Sequence, residues 1–173
     1  MHEDEYLALA RKSLKHRVET GRDLMLSEAG ELSEEMLSRR AGTFVSLHIN
    51  GRLRGCIGTI TATKSCIAEE ILRNAVSAGM HDPRFPPVGA SELPHIVYKV
   101  DILDEPEDIN DPNELDVKQY GVIVSCGAKR GLLLPNLDGV DTVAHQIEIA
   151  CQKAGIAPDE KISMQRFKVT RYE

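Results

Sequence analysis

The sequence predicts a globular fold that mixes α-helices and β-strands. Segments with the 3.6-residue apolar repeat of helices alternate with segments in which apolar and polar residues alternate, and short connections join them. Hydrophobic residues make up 42% of the chain and charged residues 28%, which is ordinary for a globular protein. The 173 residues are enough for one domain, or for two lobes that share a core.

The first half of the chain contains two predicted helices and a hairpin. Apolar residues at helical spacing predict a helix over 3–18, and Ser33 followed by carboxylates predicts a short capped helix. Residues 43–49 alternate strictly and lead into Asn50-Gly51, a strong hairpin signal. The partner strand therefore carries residues 53–59.

The second half begins with a predicted helix over 65–78, which we expect to end at Gly79 and to expose Glu69 and Glu70. Three prolines within 83–87 exclude regular structure there and predict a stiff loop. We interpret the acidic stretch 104–116 as a surface excursion. The remaining expected elements are strands at 95–103, 121–126 and 165–172, a turn at 127–130, and a helix at 142–154 that ends at Gly155.

Charge and hydropathy narrow the classes of function. The chain has 21 Lys and Arg against 27 Asp and Glu, so its net charge of −6 disfavours nucleic acid and anionic membranes as partners. A local basic patch is still possible, formed by Arg52, Arg54, Lys64 and Arg84. No apolar run approaches the roughly 20 residues that span a bilayer, and the acidic N-terminus does not resemble a signal peptide. We expect a cytoplasmic protein with no membrane association.

The segment Leu53–Thr59 carries the most informative pattern in the chain. It places Cys56 between Gly55 and Gly58, whose missing side chains leave room for a ligand or a second backbone. Arg54 lies two residues before the thiol, so in an extended strand both side chains project from one face. A fixed positive charge beside a thiol favours the reactive thiolate.

The register of the hairpin decides where Cys56 points. A bare two-residue loop would pair Ile49 with Arg52 and bring charge into an apolar face. A three-residue loop, or a two-residue loop with one bulge, keeps that face apolar. The predicted pairs are then Ile49 with Leu53, Leu47 with Gly55, Val45 with Ile57, Ser46 with Cys56 and His48 with Arg54. Cys56 should therefore face away from the main core, beside His48 and Arg54.

The loop Asp82-Pro83-Arg84-Phe85 is the second candidate for chemistry. An acid, a cation and an aromatic ring on a stiff loop could position a ligand. The alternative is structural, with an ion pair between Asp82 and Arg84 that braces the loop. Arg54 has a similar alternative, since it could fasten the hairpin to this loop.

The other cysteines and the histidines predict no further site. Cys151 lies on one helical face with Val143, Ile147, Ala150 and Ala154, which favours core packing. Cys66 and Cys126 are also interpreted as packing residues. The chain has no HExxH, paired-cysteine or carboxylate motif at ligand spacing, so no metal site is predicted. A metal site assembled in space from His81, Asp82 and Cys56 is the less favoured alternative.

Four motifs together resemble one known family. They are Leu-Arg-Gly-Cys-Ile-Gly-Thr at 53–59, Asp-Pro-Arg-Phe-Pro-Pro at 82–87, Gly-Leu-Leu-Leu-Pro at 131–135 and Cys-Gln-Lys-Ala-Gly at 151–155. In this order they resemble the AMMECR-one domain family, whose bacterial and archaeal members are called AmmeMemoRadiSam system protein A. The resemblance implies an α+β fold over 1–173, with an antiparallel-rich mixed sheet flanked by helices and a smaller second lobe. It also implies association with a modification pathway that includes a Memo-like protein and a radical S-adenosylmethionine enzyme.

The resemblance carries no reaction and no cofactor, so two functions stay open. In the first, Cys56 is a catalytic nucleophile, Arg54 lowers its pKa and His48 acts as the base. In the second, the chain is a noncatalytic adaptor whose cleft binds a small anionic ligand or a partner protein. The binding residues would be Gly55, Gly58, Thr59, Asp82, Arg84 and Phe85. A nucleic-acid regulator is the weaker third alternative, because the chain is acidic and poor in aromatic residues.

Overall fold

The computed structural model describes residues 4–173, which form two compact units. One unit contains the described residues up to Leu103 together with Thr170–Glu173, and the other contains Asp104–Val169. Each unit has a four-stranded sheet and its own cluster of buried apolar side chains. The α+β class is confirmed, and the strands form two antiparallel sheets. One domain over 1–173 in two lobes that share a core stays a prediction.

Residues 4–173 form four helices and eight strands, apart from short 3₁₀ turns. The helices are α1 (Glu5–Thr20), α2 (Glu34–Ser38), α3 (Ile67–Met80) and α4 (Val143–Ala154). The strands are β1 (Thr43–Ile49), β2 (Arg52–Gly58), β3 (Val97–Leu103), β4 (Glu107–Ile109), β5 (Gly121–Cys126), β6 (Lys129–Leu133), β7 (Ser163–Phe167) and β8 (Val169–Tyr172). None of the helices in this part of the chain combines the length and apolarity that crossing a bilayer requires.

The first unit packs α1 and α3 on one face of a sheet with the strand order β2-β1-β3-β8. Val45 and Leu47 of β1 are fully buried, as are Ile67, Ile71 and Ala75 of α3. The predicted end of α3 at Gly79 is wrong, because the helix continues through Met80. A Cβ at Gly79 would lie 2.4 Å from Leu14 of α1, so this glycine permits close packing of two helices.

The second unit packs α4 against a sheet with the strand order β4-β7-β5-β6. The predicted end of α4 is confirmed, since Gly155 ends it in the left-handed conformation at φ 72°, and the helix starts at Val143, one residue later than predicted, with Thr142 as its cap. A Cβ at Gly131 of β6 would lie 2.1 Å from the carbonyl oxygen of Ala150. The helix backbone therefore lies directly on the strand at this glycine.

Two predictions for the second half of the chain are wrong. The stretch 104–116 is more than a surface excursion, because it contains β4 and buries Ile109 and Leu115. The predicted strand 165–172 is two strands, β7 and β8, which belong to different sheets. Alternation of apolar and polar residues indicates that a segment is extended, but tertiary packing determines which strand it pairs with. The sequence pattern therefore continues across a change of sheet.

Candidate functional site

The β1–β2 hairpin has a two-residue loop and one bulge. Asn50 and Gly51 both have positive φ, at 51° and 76°, as the tightest hairpin turns require. The ladder near the turn pairs His48 with Leu53 and Ile49 with Arg52, so the predicted pairs His48–Arg54 and Ile49–Leu53 are wrong. The register then shifts at the extra residue Arg54. Beyond it, the predicted pairs Leu47–Gly55, Ser46–Cys56 and Val45–Ile57 are confirmed.

Cys56 points away from the core of the first unit, as predicted. Val45 and Leu47 of the facing strand are buried in that core, so Ser46 between them projects from the opposite face. The Oγ of Ser46 and the Sγ of Cys56 are 3.2 Å apart and share a hydrogen bond. The thiol is half-buried. It is therefore a partly accessible group with a polar neighbour.

The loop of residues 82–87, called the proline loop below, covers the free edge of β2 at Cys56. β2 is the first strand of its sheet, so one side of its backbone has no neighbouring strand. The backbone N–H of Cys56 donates to Asp82 over 3.0 Å, and Nη2 of Arg84 donates to the Cys56 carbonyl over 3.5 Å. Asp82 is 2% exposed and also accepts from the backbone N–H of Arg84. The loop thus supplies the hydrogen bonds that a neighbouring strand would make.

Asp82 and Arg84 form a two-point ion pair. The Arg84 Nε and Nη2 atoms lie 3.1 and 2.8 Å from the two carboxylate oxygens of Asp82. The hydrogen bond from Arg84 outweighs burial and, with the Cys56 N–H, lowers the pKa of Asp82 to about 2. The hydrogen bond to Asp82 in turn raises the pKa of Arg84. The Arg84 side chain is still 56% exposed.

Arg54 makes the contacts of its structural alternative, in which it fastens the hairpin to the loop, and they include an unpredicted partner, Glu92. Its Nε and Nη2 donate to Glu92 over 2.8 and 3.2 Å, and Nη2 also donates to the carbonyl of Pro86 over 2.8 Å. The hydrogen bond from Arg54 lowers the pKa of Glu92. Arg54 is 12% exposed, and it fastens the hairpin to the loop. Arg84, rather than Arg54, is the arginine that donates a hydrogen bond to the backbone carbonyl of Cys56.

Phe85 lies beside both arginines. The guanidinium carbons of Arg54 and Arg84 are 5.9 and 5.5 Å from the centre of its ring. The Nη1 of Arg54 is buried and has no hydrogen-bond partner among residues 4–173. The structure therefore brings together Cys56, Arg54, Asp82, Arg84 and Phe85.

His48 lies two residues along β1 from Ser46, which pairs with Cys56, and is itself paired with Leu53 on one side and Val97 on the other. Burial lowers its pKa, and the nearby Lys99 lowers it further. Its buried Nδ1 has no hydrogen-bond partner within the described residues. A catalytic base is normally oriented by a hydrogen bond to a third group. This arrangement lacks such a group at Nδ1.

The other predicted binding residues have contacts within the protein. A Cβ at Gly55 would lie 2.1 Å from the carbonyl oxygen of Ala78 in α3, and one at Gly58 would lie 2.2 Å from the ring of Phe44. Thr59 donates to Glu70 over 3.0 Å. Close packing therefore accounts for the two glycines of the motif.

Two acidic residues near the site were missed by sequence reasoning. Glu70 is fully buried, so the prediction that it is exposed is wrong. It accepts hydrogen bonds from the hydroxyls of Thr59 and Thr63 and from the backbone of Thr63 and Lys64. A glutamate in the first turn after a threonine-rich loop was a usable signal. Glu92 had no such signal, because its partner Arg54 lies 38 residues earlier.

The structure also bears on the alternative metal site and on Cys66, the other cysteine of the first unit. Over residues 4–173, no group of three or more His, Cys, Asp or Glu residues is arranged to hold a metal ion. Both oxygens of Asp82, one of the residues of the alternative metal site, accept hydrogen bonds within the protein. Cys66 is 3% exposed in the core, as its interpretation as a packing residue requires.

Comparison with known proteins places the chain among relatives. The family model described as AMMECR1 matches residues 7–173. A protein of Thermotoga maritima is 49% identical over 99% of this chain and 98% of its own length. A protein of Clostridium acetobutylicum is 51% identical over 98% of this chain, which spans only 36% of that protein. The crystal structure of an uncharacterized protein from Pyrococcus horikoshii superposes with a TM-score of 0.86 at 30% identity, over 96% of this chain and 88% of that one.

Proposed function

The chain belongs to the AMMECR1 family, and from this premise we propose that it is a noncatalytic binding component of a modification pathway. The resemblance associates such proteins with a Memo-like protein and a radical S-adenosylmethionine enzyme. The proposed recognition surface consists of Cys56, Arg84 and Phe85, and it is called the proline-loop surface below. Its ligand carries a carboxylate or phosphate group, either as a small molecule or on a partner protein.

The exposed, fixed guanidinium of Arg84 carries this proposal. Asp82 is buried and binds two nitrogens of Arg84, which holds the arginine in one orientation. The arginine nevertheless leaves 56% of its side chain exposed. A cation that is already oriented loses little entropy when it binds an anion, and arginine favours planar oxyanions.

Arg54 and Phe85 support the same ligand chemistry. Arg54 Nη1 is a buried donor without a partner in the described chain, and an anionic oxygen would satisfy it. Phe85 lies within 6 Å of both guanidinium groups and adds an apolar wall beside them. A nucleic acid fits less well, since the chain carries a net charge of −6.

The catalytic alternative is less well supported by the contacts. It needs Arg54 to stabilise a thiolate, but Arg54 is 12% exposed and its Nε and Nη2 donate to Glu92 and to the carbonyl of Pro86. It also needs His48 to act as an oriented base, but His48 lies opposite Leu53 with its Nδ1 unbonded. The observation that favours catalysis is the half-buried thiol, which shares a hydrogen bond with Ser46, in a residue whose backbone carbonyl accepts from Arg84.

A titration with inorganic phosphate tests the proposal. We expect amide and arginine Nε–H resonances of residues 54–56 and 82–86 to shift in NMR spectra of the full chain. Arg84→Gln should weaken phosphate binding about tenfold, as expected for one lost charge-assisted contact. The matched control is Arg73→Gln, an exposed arginine of α3. Shifts that are unaffected by Arg84→Gln would overturn the proposal.

Two further measurements separate the alternatives. Cys56→Ser should bind phosphate like the wild type if the surface is a binding site. Fast alkylation of Cys56 by iodoacetamide at neutral pH, well above the rate at Cys151, would instead favour a nucleophile. Capture of a purified Memo-like protein, with loss of capture in Arg84→Gln, would identify the partner protein as the source of the anionic group.

A further inference from the structure

The outer face of α4 lines a groove in the second unit. The groove has a volume of about 510 Å³ and lies between α4 and the segment that leads into β7. Its apolar lining consists of Ala144, Ile147, Cys151, Ile156, Ala157, Pro158 and Ile162. Clefts of this size with a mainly apolar lining are typical of binding sites for small organic molecules.

The apolar face of α4 is wider than the part of it that the sheet covers. The sequence pattern predicts that Ile147 and Cys151 lie in the core together with Ala150. In the structure, Ala150 and Gln146 are the buried residues of the helix, while Ile147 and Cys151 pack against the core cluster with one side, as predicted, and line the groove with the other. The apolar stripe therefore continues beyond the sheet into an accessible cleft.

Hydrogen bonds from backbone N–H groups, to carbonyls in one wall and to the Glu160 carboxylate in the other, hold both walls of the groove in place. At the end of α4, the N–H of Gly155 donates to Gln152 over 3.1 Å and that of Ile156 donates to Cys151 over 2.9 Å. In the opposite wall, the N–H of Ala157 donates to Glu160 over 2.7 Å. Glu160 is also held by Lys129, whose Nζ lies 3.1 Å away. The groove is thus formed without a ligand, which favours binding.

The charge along the groove is negative. Its lining contains two carboxylates, Glu148 and Glu160, and contains neither lysine nor arginine. Lys129 matches the charge of Glu160. Glu148 accepts a 3.3 Å hydrogen bond from Gln152 and has no ion-pair partner in the part of the chain that is described. An uncompensated carboxylate at the rim of an apolar cleft favours a cationic ligand.

We propose that this groove binds a small organic amine, whose ammonium group pairs with Glu148 and whose apolar body packs on Ile147 and Cys151. The proposal does not depend on the proline-loop surface, because all of the lining residues belong to the other unit. Phenylbutylamine, phenylbutanol and phenylbutyrate test it, since they share one apolar body and differ in charge.

We expect phenylbutylamine to shift the amide resonances of α4 and of residues 156–162 in the full chain. It should bind about tenfold more tightly than phenylbutyrate at low ionic strength, because of its attraction to Glu148. It should also slow the alkylation of Cys151 by N-ethylmaleimide and leave the rate at Cys56 unchanged. The thiol of Cys151 makes a suitable reporter because it lines the groove.

Glu148→Gln keeps the size of the side chain and removes its charge, so the amine should then bind about as well as phenylbutanol. Asp138→Asn, which changes an exposed acid outside the groove, should leave the preference intact. Equal binding of all three probes to the wild type would overturn the assignment of a cation. Absence of shifts at the groove with every probe would overturn a small-molecule site. Concentration-dependent dimerisation that Ile147→Lys abolishes would overturn it in favour of a second copy.

Discussion

The two units use the same contact between helix and strand, but they present different chemistry around their cysteines. In the first unit, a Cβ at Gly55 would lie 2.1 Å from the carbonyl oxygen of Ala78, and in the second, a Cβ at Gly131 would lie 2.1 Å from that of Ala150. Each unit also has a glycine under an aromatic ring, with Gly58 at Phe44 and Gly121 at Phe167. These glycines serve packing in both units.

The surroundings of the thiols separate the units. Cys56 has a serine hydroxyl at 3.2 Å and an arginine at its backbone carbonyl. Cys151 lies in an apolar groove, where burial raises its pKa and the lining acids are glutamates. A glycine at a close contact between helix and strand therefore does not by itself mark a reactive cysteine. The charges that the fold brings to the thiol decide what the site can bind.

The shared contact predicts the largest effects. We expect Gly55→Ala and Gly131→Ala each to lower the free energy of unfolding by about 3 kcal/mol, because the added methyl group would overlap a helix backbone that cannot move freely. Urea unfolding followed by circular dichroism measures this. Gly89→Ala is the control, since its Cβ would have Glu92 at 3.9 Å as its nearest neighbour. A free energy of unfolding equal to that of the wild type in one of the two variants would show that the contact is not equally tight in the two units.

The buried ion pair of the first unit predicts an intermediate effect. The folded-state pKa of Asp82 is about 2, below its ordinary value of 3.8, so its ionised form stabilises the fold. This contribution, about 2 kcal/mol, is complete above pH 4 and is lost as the pH falls towards 2. Asp82→Asn should remove it, with faster amide exchange at Cys56 and Arg84.

Asp159→Asn is the matched control for this prediction, because it changes an exposed aspartate of the second unit. Its stability should follow that of the wild type between pH 2 and pH 7, measured by the same urea titration. An equal loss of stability in both variants would show that Asp82 has no special role in the first unit.

The thiols predict the smallest effect. Iodoacetate is anionic and iodoacetamide is neutral, so the ratio of their rates reports the local charge. We expect this ratio to be about fivefold higher at Cys56 than at Cys151 at low ionic strength, because Arg84 attracts the anion and Glu148 repels it. Peptide mapping by mass spectrometry measures both sites in one sample. Arg84→Gln should lower the ratio at Cys56 alone, and equal ratios in the wild type would contradict the contrast.

Much of the hairpin could be predicted, because a strand alternates its side chains between two faces. A slip of one residue would have placed Cys56 in the core, so the apolar pattern was enough to orient it. The position of the bulge was not predictable, since either the loop or the strand could absorb the extra residue. The structure places it at Arg54, which moves His48 opposite Leu53.

The pattern of residues along the chain was enough to predict the four helices, the β1–β2 hairpin, the end of α4 and the face on which Cys56 lies. These features depend on interactions between residues that are close in the chain, and the spacing of apolar residues records them. The tertiary structure alone decided that Arg54 pairs with Glu92, that Glu70 is buried and that β7 and β8 belong to different sheets. Each of these features depends on contacts between residues that are far apart in the chain, and the local spacing of apolar residues does not encode such contacts.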